Sequence, residues 1–431
     1  MQKREGRGWI SLIVLGALLE ALALWTAPRA AADDRFIPFL LGYLAMFVIY
    51  LLAVYLICQH PKASKATLGL IMLFAVLLRL PFLFHPPELS DDIYRYVWDG
   101  RVQRAGINPY SYPPQAHELQ QLRNPMYEGI NNRDISTIYP PLMQIIFAAT
   151  TAVSESLLWM KAVFVLIDLL VVVLLMGLLE TAGKSASRAI IYAWSPLAIV
   201  EVAGNGHNDV LALALLLAAH GAALLEKDIS TVFLLCLSGL AKLVGFIVAP
   251  LFVRSVWARA WLALPITSVI VSFPYLDVGF EAFQGFFSYG TRWRANDSLF
   301  ALIYQATGSL DLSKAIVAGI LAGWMGALII RNVPPLRACY LAIGAILLFT
   351  TTVHPWYILW IVPYLCFYTN PAWLLLTGTI MLSYHAPYLT PPGQPWSWHI
   401  LFQLLEYGPF FALLAVLAFS PRGRFLGKRD E

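Results

Sequence analysis

Two adjacent carboxylates, Asp91 and Asp92, sit in the polar run His85-Pro-Pro-Glu-Leu-Ser-Asp-Asp-Ile-Tyr-Arg-Tyr-Val-Trp-Asp-Gly-Arg. Neighbouring carboxylates in a poorly solvated place cannot both ionise freely, so one is pushed towards a pKa that suits a general base. A second group, Glu201-Val-Ala-Gly-Asn-Gly-His-Asn-Asp, brings His207, Asn208 and Asp209 to the start of a helix. A third is dispersed: Lys242 in an apolar run, Arg292 and Arg294 in Arg-Trp-Arg, and His354 in Thr-Val-His-Pro-Trp-Tyr. Arginine grips phosphate bidentately and lysine as a point charge, both more strongly where water is scarce. A carboxylate facing such cations at a membrane surface suits a phosphate-bearing lipid donor and an acceptor that must lose a proton. Plainer roles fit the same residues: helix caps for the Asp pair and for Asn205 or Asp209, snorkelling for Lys242, interfacial anchoring for Arg292 and Arg294. No His-x3-His or Cys-x2-Cys spacing occurs, so a zinc site is unsupported and a divalent cation is left open.

The elements that must position these groups follow from composition. Of 431 residues, 59% are hydrophobic and 13% charged, against roughly 25% charged in a soluble domain. That is too little polar surface for a water-soluble globule, and 14 Trp, 20 Tyr and 24 Phe exclude disorder. The chain reads as an all-α, polytopic transmembrane bundle. Its net charge of +4 comes from short basic flanks and implies no nucleic-acid partner. The four cysteines fit small apolar positions within the runs.

Apolar runs cover 9–26, 36–58, 68–84, 161–179, 187–203, 208–225, 260–276, 312–330, 335–352, 371–388 and 399–420. The first has no small-residue cleavage site and is not a signal peptide. Placing Lys3, Arg4, Arg7, Lys62, Lys65, Lys184, Arg188, Arg331, Arg337 and the basic tail in the cytoplasm puts both termini inside. Segment 139–153 is then re-entrant or interfacial. Segment 231–258 becomes a hairpin broken near Gly239–Gly245, with Lys242 at its tip. With 356–369 counted too, about 12–14 spans result. The acidic run falls in a large extracytoplasmic loop, 85–138. There, Ser90 to Arg104 reads as an amphipathic helix with Ser90 as N-cap, and Ile93, Tyr96 and Val97 form a stripe suited to the membrane surface.

Ser90-Asp-Asp-Ile-Tyr-Arg-Tyr-Val-Trp-Asp-Gly-Arg, Gly106-Ile-Asn-Pro-Tyr, Tyr139-Pro-Pro-Leu, Gly206-His-Asn-Asp and His354-Pro-Trp-Tyr together resemble the membrane-embedded GT-C glycosyltransferases. The likeness is strongest to bacterial polyprenyl-phosphate-mannose-dependent mannosyltransferases and runs from about residue 68 to about 370. The resemblance implies inverting transfer of a hexose from a polyprenyl-phosphate-linked donor to a lipid, glycan or protein acceptor, in a bacterial plasma membrane. Asp91 or Asp92 would be the catalytic carboxylate, and Lys242, Arg292 and Arg294 would contact the donor phosphate. Tyr94, Arg95, Asp99, Tyr139, His207, Asn208, Asp209 and His354 are the expected substrate-binding residues.

Two departures from that pattern stand out. Two spans precede the usual first one, so 1–66 reads as an accessory pair ahead of a catalytic unit at 67–420, with 421–431 a basic cytoplasmic tail. The acids form Asp-Asp rather than Asp-x-Asp, which leaves open which is the base and whether a metal binds. No Gly-rich nucleotide loop accompanies them, which favours a lipid donor. A transporter or flippase for a lipid-linked sugar is the competing reading. It predicts a half-to-half repeat and polar residues at mid-depth, and the sequence has neither.

Overall fold

The computed structural model describes residues 2–29, 36–59, 64–390 and 398–419, so Lys62 and the basic tail lie outside the described residues. The fold is an all-α helical bundle. Seven described helices are long and apolar enough to cross a membrane: Trp9–Arg29, Phe36–Cys58, Lys65–Leu83, Leu157–Thr181, Ala258–Ala282, Leu310–Ile330 and Ile400–Phe419. Four shorter apolar helices, Pro141–Val153, Asp209–Leu224, Asp228–Ala241 and Pro335–Phe349, complete the pattern.

The first two helices are built into the bundle. Tyr43 and Tyr50 donate their hydroxyls to the carbonyls of Thr377 and Ile191, both at 2.7 Å. One apolar core runs from Leu12 through Trp194 to Phe410. At Gly42 an added Cβ would come within 2.3 Å of Thr26 Oγ1, so this glycine sets how closely the two helices approach.

Two runs expected as single spans are broken. Residues 187–203 divide into the helix Ile190–Ala193, the turn Pro196–Ala198 and a π-helix Ile199–Gly204. Pro196 lacks an amide donor and holds Ser195 out of helical conformation, at φ −59° and ψ 118°. Residues 371–388 divide into Pro371–Thr379, a 3-10 turn Ile380–Tyr384 and His385–Leu389. The hairpin breaks where the sequence places it. Lys242 is extended between Asp228–Ala241 and Val244–Val248, and a Cβ at Gly245 would lie 2.3 Å from the Gly239 amide nitrogen.

The capping segment, 85–138, departs from its expected form. Its helix is Asp92–Arg104, with Asp91 rather than Ser90 at the N-cap position. Ser90 instead receives the Asp92 amide at 3.4 Å. The stripe Ile93, Tyr96 and Val97 is buried in the bundle core, with Tyr96 stacked on Phe147 at 4.7 Å, and does not lie on a membrane surface. Trp98, Val102, Leu119, Tyr127 and Ile130 form a second small core over the opposite face. Buried on both faces, the helix seats on Pro141–Val153 through Gly100, where a Cβ would meet the Phe147 carbonyl at 2.6 Å. Its far end is pinned by Arg101 and Arg104 to Glu155, with Arg101 Nε donating at 2.9 Å and Arg104 Nη1 at 3.0 Å.

Beneath this cap a fully buried ion pair joins three elements. Arg79 is bonded to Asp168 and donates to the carbonyls of Ala75 at 2.7 Å and Ala193 at 2.9 Å, while Tyr192 donates to Asp168 at 2.6 Å. Removing one partner of such a pair strands the other's charge. Asp168→Ala is therefore expected to lower stability by about 3–5 kcal/mol, read as a fall in the thermal midpoint of the detergent-solubilised protein. An unchanged midpoint would contradict the assignment.

Candidate active site

A cavity of about 860 Å3 opens between the start of the Asp92–Arg104 helix, the Lys242 break, the segments 354–357 and 383–387, and Trp398. Asp91, Asp92 and Arg95 line one side of it, together with Asn131 and Tyr139; Lys242 and His354 also line it. Broken elements supply most of these positions, because chain ends and breaks free side chains from the regular faces of the bundle.

Asp91 is exposed to the cavity lumen and is bonded by the Asn131 amide. Crowding by the cavity walls and then the charge of Asp92 push its carboxyl up to about 7, against the smaller opposing pull of its hydrogen bonds and of His207. Asp92 lies one residue further round the helix, with Oδ2 at 3.8 Å from His207 Nδ1. Arg95, one turn on, also faces the cavity. Its guanidinium is held by Asp99 Oδ1 at 2.8 Å and the Ile135 carbonyl at 3.0 Å.

Lys242 Nζ reaches Asp209 Oδ2 at 3.1 Å and Asn208 Oδ1 at 3.5 Å. Trp360 Nε1 donates to the other Asp209 oxygen at 2.7 Å, so that buried carboxylate is satisfied on both sides. Lys242 is thus a fixed cation with one flank open to the cavity. Three rings stack beside it: His207 on Trp356 at 3.9 Å, and Trp356 on His354 at 4.3 Å. Burial, then the charges of His207 and Lys242, hold His354 down at about 3, so it is a neutral hydrogen-bonding imidazole.

Of the residues singled out from the sequence, Asp91, Asp92, Arg95, Tyr139, Lys242 and His354 line this cavity. His207, Asn208 and Asp209 stand directly behind its wall, fully buried. Asp99 does not line it. Its carboxylate is occupied by Arg95, by Thr137 Oγ1 at 2.5 Å and by Gln144 Nε2 at 3.0 Å, so it shapes the site through Arg95. Tyr94 packs over Gly129 in a separate shallow groove. Arg294 is paired with Asp297 at 2.6 Å and lies over the Tyr304 ring at 4.3 Å, off the cavity lining. The Arg292 side chain is outside the described residues. Among the described residues no group of three or more His, Cys, Asp or Glu side chains is placed to hold a metal ion.

Sequence reasoning passed over Glu201, Asn131, Trp356 and Tyr384. Glu201 and Trp356 stand inside strings already singled out, Glu201…Asp209 and His-Pro-Trp-Tyr. Asn131 carries no local signal, since only the folded cap brings it to Asp91.

Comparison with known proteins adds to this geometry. The chain is 23% identical over 197 residues to alpha-(1->6)-mannopyranosyltransferase A of Corynebacterium glutamicum, covering 44% of this chain and 40% of that protein. The aligned part thus spans well under half of the relative's length. A family model described as alpha-(1->6)-mannopyranosyltransferase, N-terminal domain, matches residues 11–259. That region is more than half of the chain and contains the acidic pair, the His207–Asp209 group and Lys242, so the chain belongs to the alpha-(1->6)-mannopyranosyltransferase family.

Proposed function

We propose that this protein is a multi-pass membrane mannosyltransferase that moves mannose, with inversion, from a polyprenyl-phosphate-linked donor to a hydroxyl of a lipid, glycan or protein acceptor. The observation that carries the reading is the pairing, in one cavity, of a carboxylate whose pKa is raised to about 7 with a fixed lysine that has one open flank. The family supports the sugar.

In this reading Asp91 takes the proton from the acceptor hydroxyl. The hydroxyl oxygen attacks the anomeric carbon from the face opposite the phosphate. As that bond forms, the bond from the anomeric carbon to the phosphate oxygen breaks and its electrons remain on the phosphate. Lys242 meets the growing charge, so no acid is needed for the leaving group. Neutral His354 and Arg95 orient the sugar by hydrogen bonds. A single displacement inverts the centre. The Arg292 and Arg294 contacts expected for the phosphate are not part of this proposal.

The cavity would face the extracytoplasmic side of a bacterial plasma membrane, with both termini inside. The supporting observation is that the Lys184–Arg188 loop, read as cytoplasmic, packs on residues that do not line the cavity. Arg188 donates to Thr369 Oγ1 at 2.7 Å, and Lys184 lies 6.0 Å from the Tyr368 ring centroid.

Asp91→Asn keeps the shape of the side chain but cannot take a proton, so transfer of labelled mannose should fall by about 10²–10⁴-fold. Its fold should survive. A carboxyl whose pKa is raised on folding favours the native state at low pH and loses that contribution as pH rises through about 7. At pH 8 the variant's unfolding midpoint should therefore be equal to or above that of wild type. Retention of more than about a hundredth of the rate would remove Asp91 as the base.

The pH profile provides a second test. The base works ionised, so kcat/KM should fall below about pH 7 in the wild type. Asp92→Asn removes the second largest cause of the shift, so in that variant the fall should begin at lower pH. A profile that does not move would break the link between the two carboxylates.

A further inference from the structure

Behind the Asp92 wall lies an array that the transfer step does not use directly. Glu201, in the π-helix Ile199–Gly204, is completely buried and does not line the cavity. Its neutral donors are Asn205 Nδ2, at 3.0 Å from Oε2, and the Tyr384 hydroxyl, at 3.1 Å from Oε1. His207 Nε2 lies 3.3 Å from Oε2, and the His207 amide donates to the Glu201 carbonyl at 3.0 Å. On its other edge the same imidazole presents Nδ1 to Asp92 Oδ2 at 3.8 Å. Among the described residues neither ring nitrogen has a hydrogen-bond partner, so the two carboxylates approach the ring only at these ion-pair distances.

The ring has little freedom to turn. Trp356 stacks on it with an interplanar angle of 18°. Gly206, at φ +77°, lets its loop approach the start of the Asp92–Arg104 helix, because a Cβ there would come within 2.5 Å of Ile93 Cδ1. A carboxylate withdrawn from water is tolerated only when it is hydrogen-bonded and paired. Imidazole is the side chain that can present an N–H on either edge, and on both when protonated. A buried Glu fixed on one edge of a clamped imidazole, with a cavity carboxylate on the other, is more than core packing needs.

We propose that Glu201, acting through His207, is a positioning residue for Asp92: it holds the imidazole, and the imidazole holds Asp92 beside Asp91 at the cavity edge. The proposal rests on the reading of Asp91 and Asp92 as the acidic pair of the transfer site. Glu201 itself touches no substrate.

The test is a double-mutant cycle with an arm independent of turnover. Glu201→Gln, Asp92→Asn and the double variant are assayed with polyprenyl-phosphate-mannose as the donor. Glu201→Gln should lower kcat by about 10- to 100-fold, the scale of a misplaced catalytic group. The donor KM should change by less than about twofold. The double variant should then lose no more than Asp92→Asn alone, because residues acting through one another are not additive. Losses that multiply, or a Glu201→Gln loss confined to KM, would overturn the proposal.

In the second arm the 15N ring signals of His207, identified by their disappearance in His207→Asn, should move in both single variants. A His207 signal that ignores Asp92→Asn overturns the link even if Glu201→Gln folds too poorly to assay. Wild-type protein that transfers no mannose would remove the transfer reading, and this arm would then decide the link separately.

Discussion

A charge withdrawn from water into a helical bundle must be met by a partner, and the site described above is organised by the ways this chain meets that requirement. Arg79 and Asp168 neutralise each other in the interior and hold three elements at fixed spacing. Asp209 is shared between Lys242 and Trp360, which anchors the lysine at a helix break while leaving one flank open. Arg95 is tethered from behind by Asp99. Asp91 is met less completely: burial first, and then the charge of Asp92 alongside, raise its pKa, and the neutral Asn131 amide offsets only part of that rise. The group proposed as the base is thus one whose charge is incompletely compensated.

Rigidity of the cap matters as much as pairing. The Asp92–Arg104 helix has an apolar core on both faces and is pinned at its far end by Glu155, so its start cannot drift from the cavity. Gly100 sets the depth of the seat and Gly206 the approach of the His207 loop. In each case the missing side chain is the structural feature, and substitution at either would move the acids away from Lys242. A base and a phosphate contact mounted on separate elements can cooperate only if both mountings are stiff.

Much of this was legible in the sequence, because ionisable residues in so apolar a chain are conspicuous. Asp91, Asp92, Lys242 and His354 could be picked out by type and setting, and Arg95 through the resemblance; all five line one cavity. The hairpin break at Lys242 was readable from its flanking glycines. Other features depend on long-range geometry. A π-helix cannot be told from an α-helix by periodicity over six residues, so the direction of Glu201 was invisible. The 187–203 run looked continuous because Pro196 interrupts its hydrogen bonding but not its hydrophobicity. Arg294 looked available until the fold placed it on Asp297 and Tyr304. The stripe on the Asp92–Arg104 helix was correctly apolar but wrongly assigned to lipid, since the cap's second core takes up the face expected to be wet.

The central claim is that the cavity is built for a sugar leaving a lipid-borne phosphate. The most direct measurement is transfer of radiolabelled mannose by the purified, detergent-solubilised protein, with polyprenyl-phosphate-mannose and a nucleotide-linked mannose offered separately as donors. The account predicts transfer from the lipid-linked donor and none from the nucleotide. Transfer from the nucleotide donor alone would contradict it.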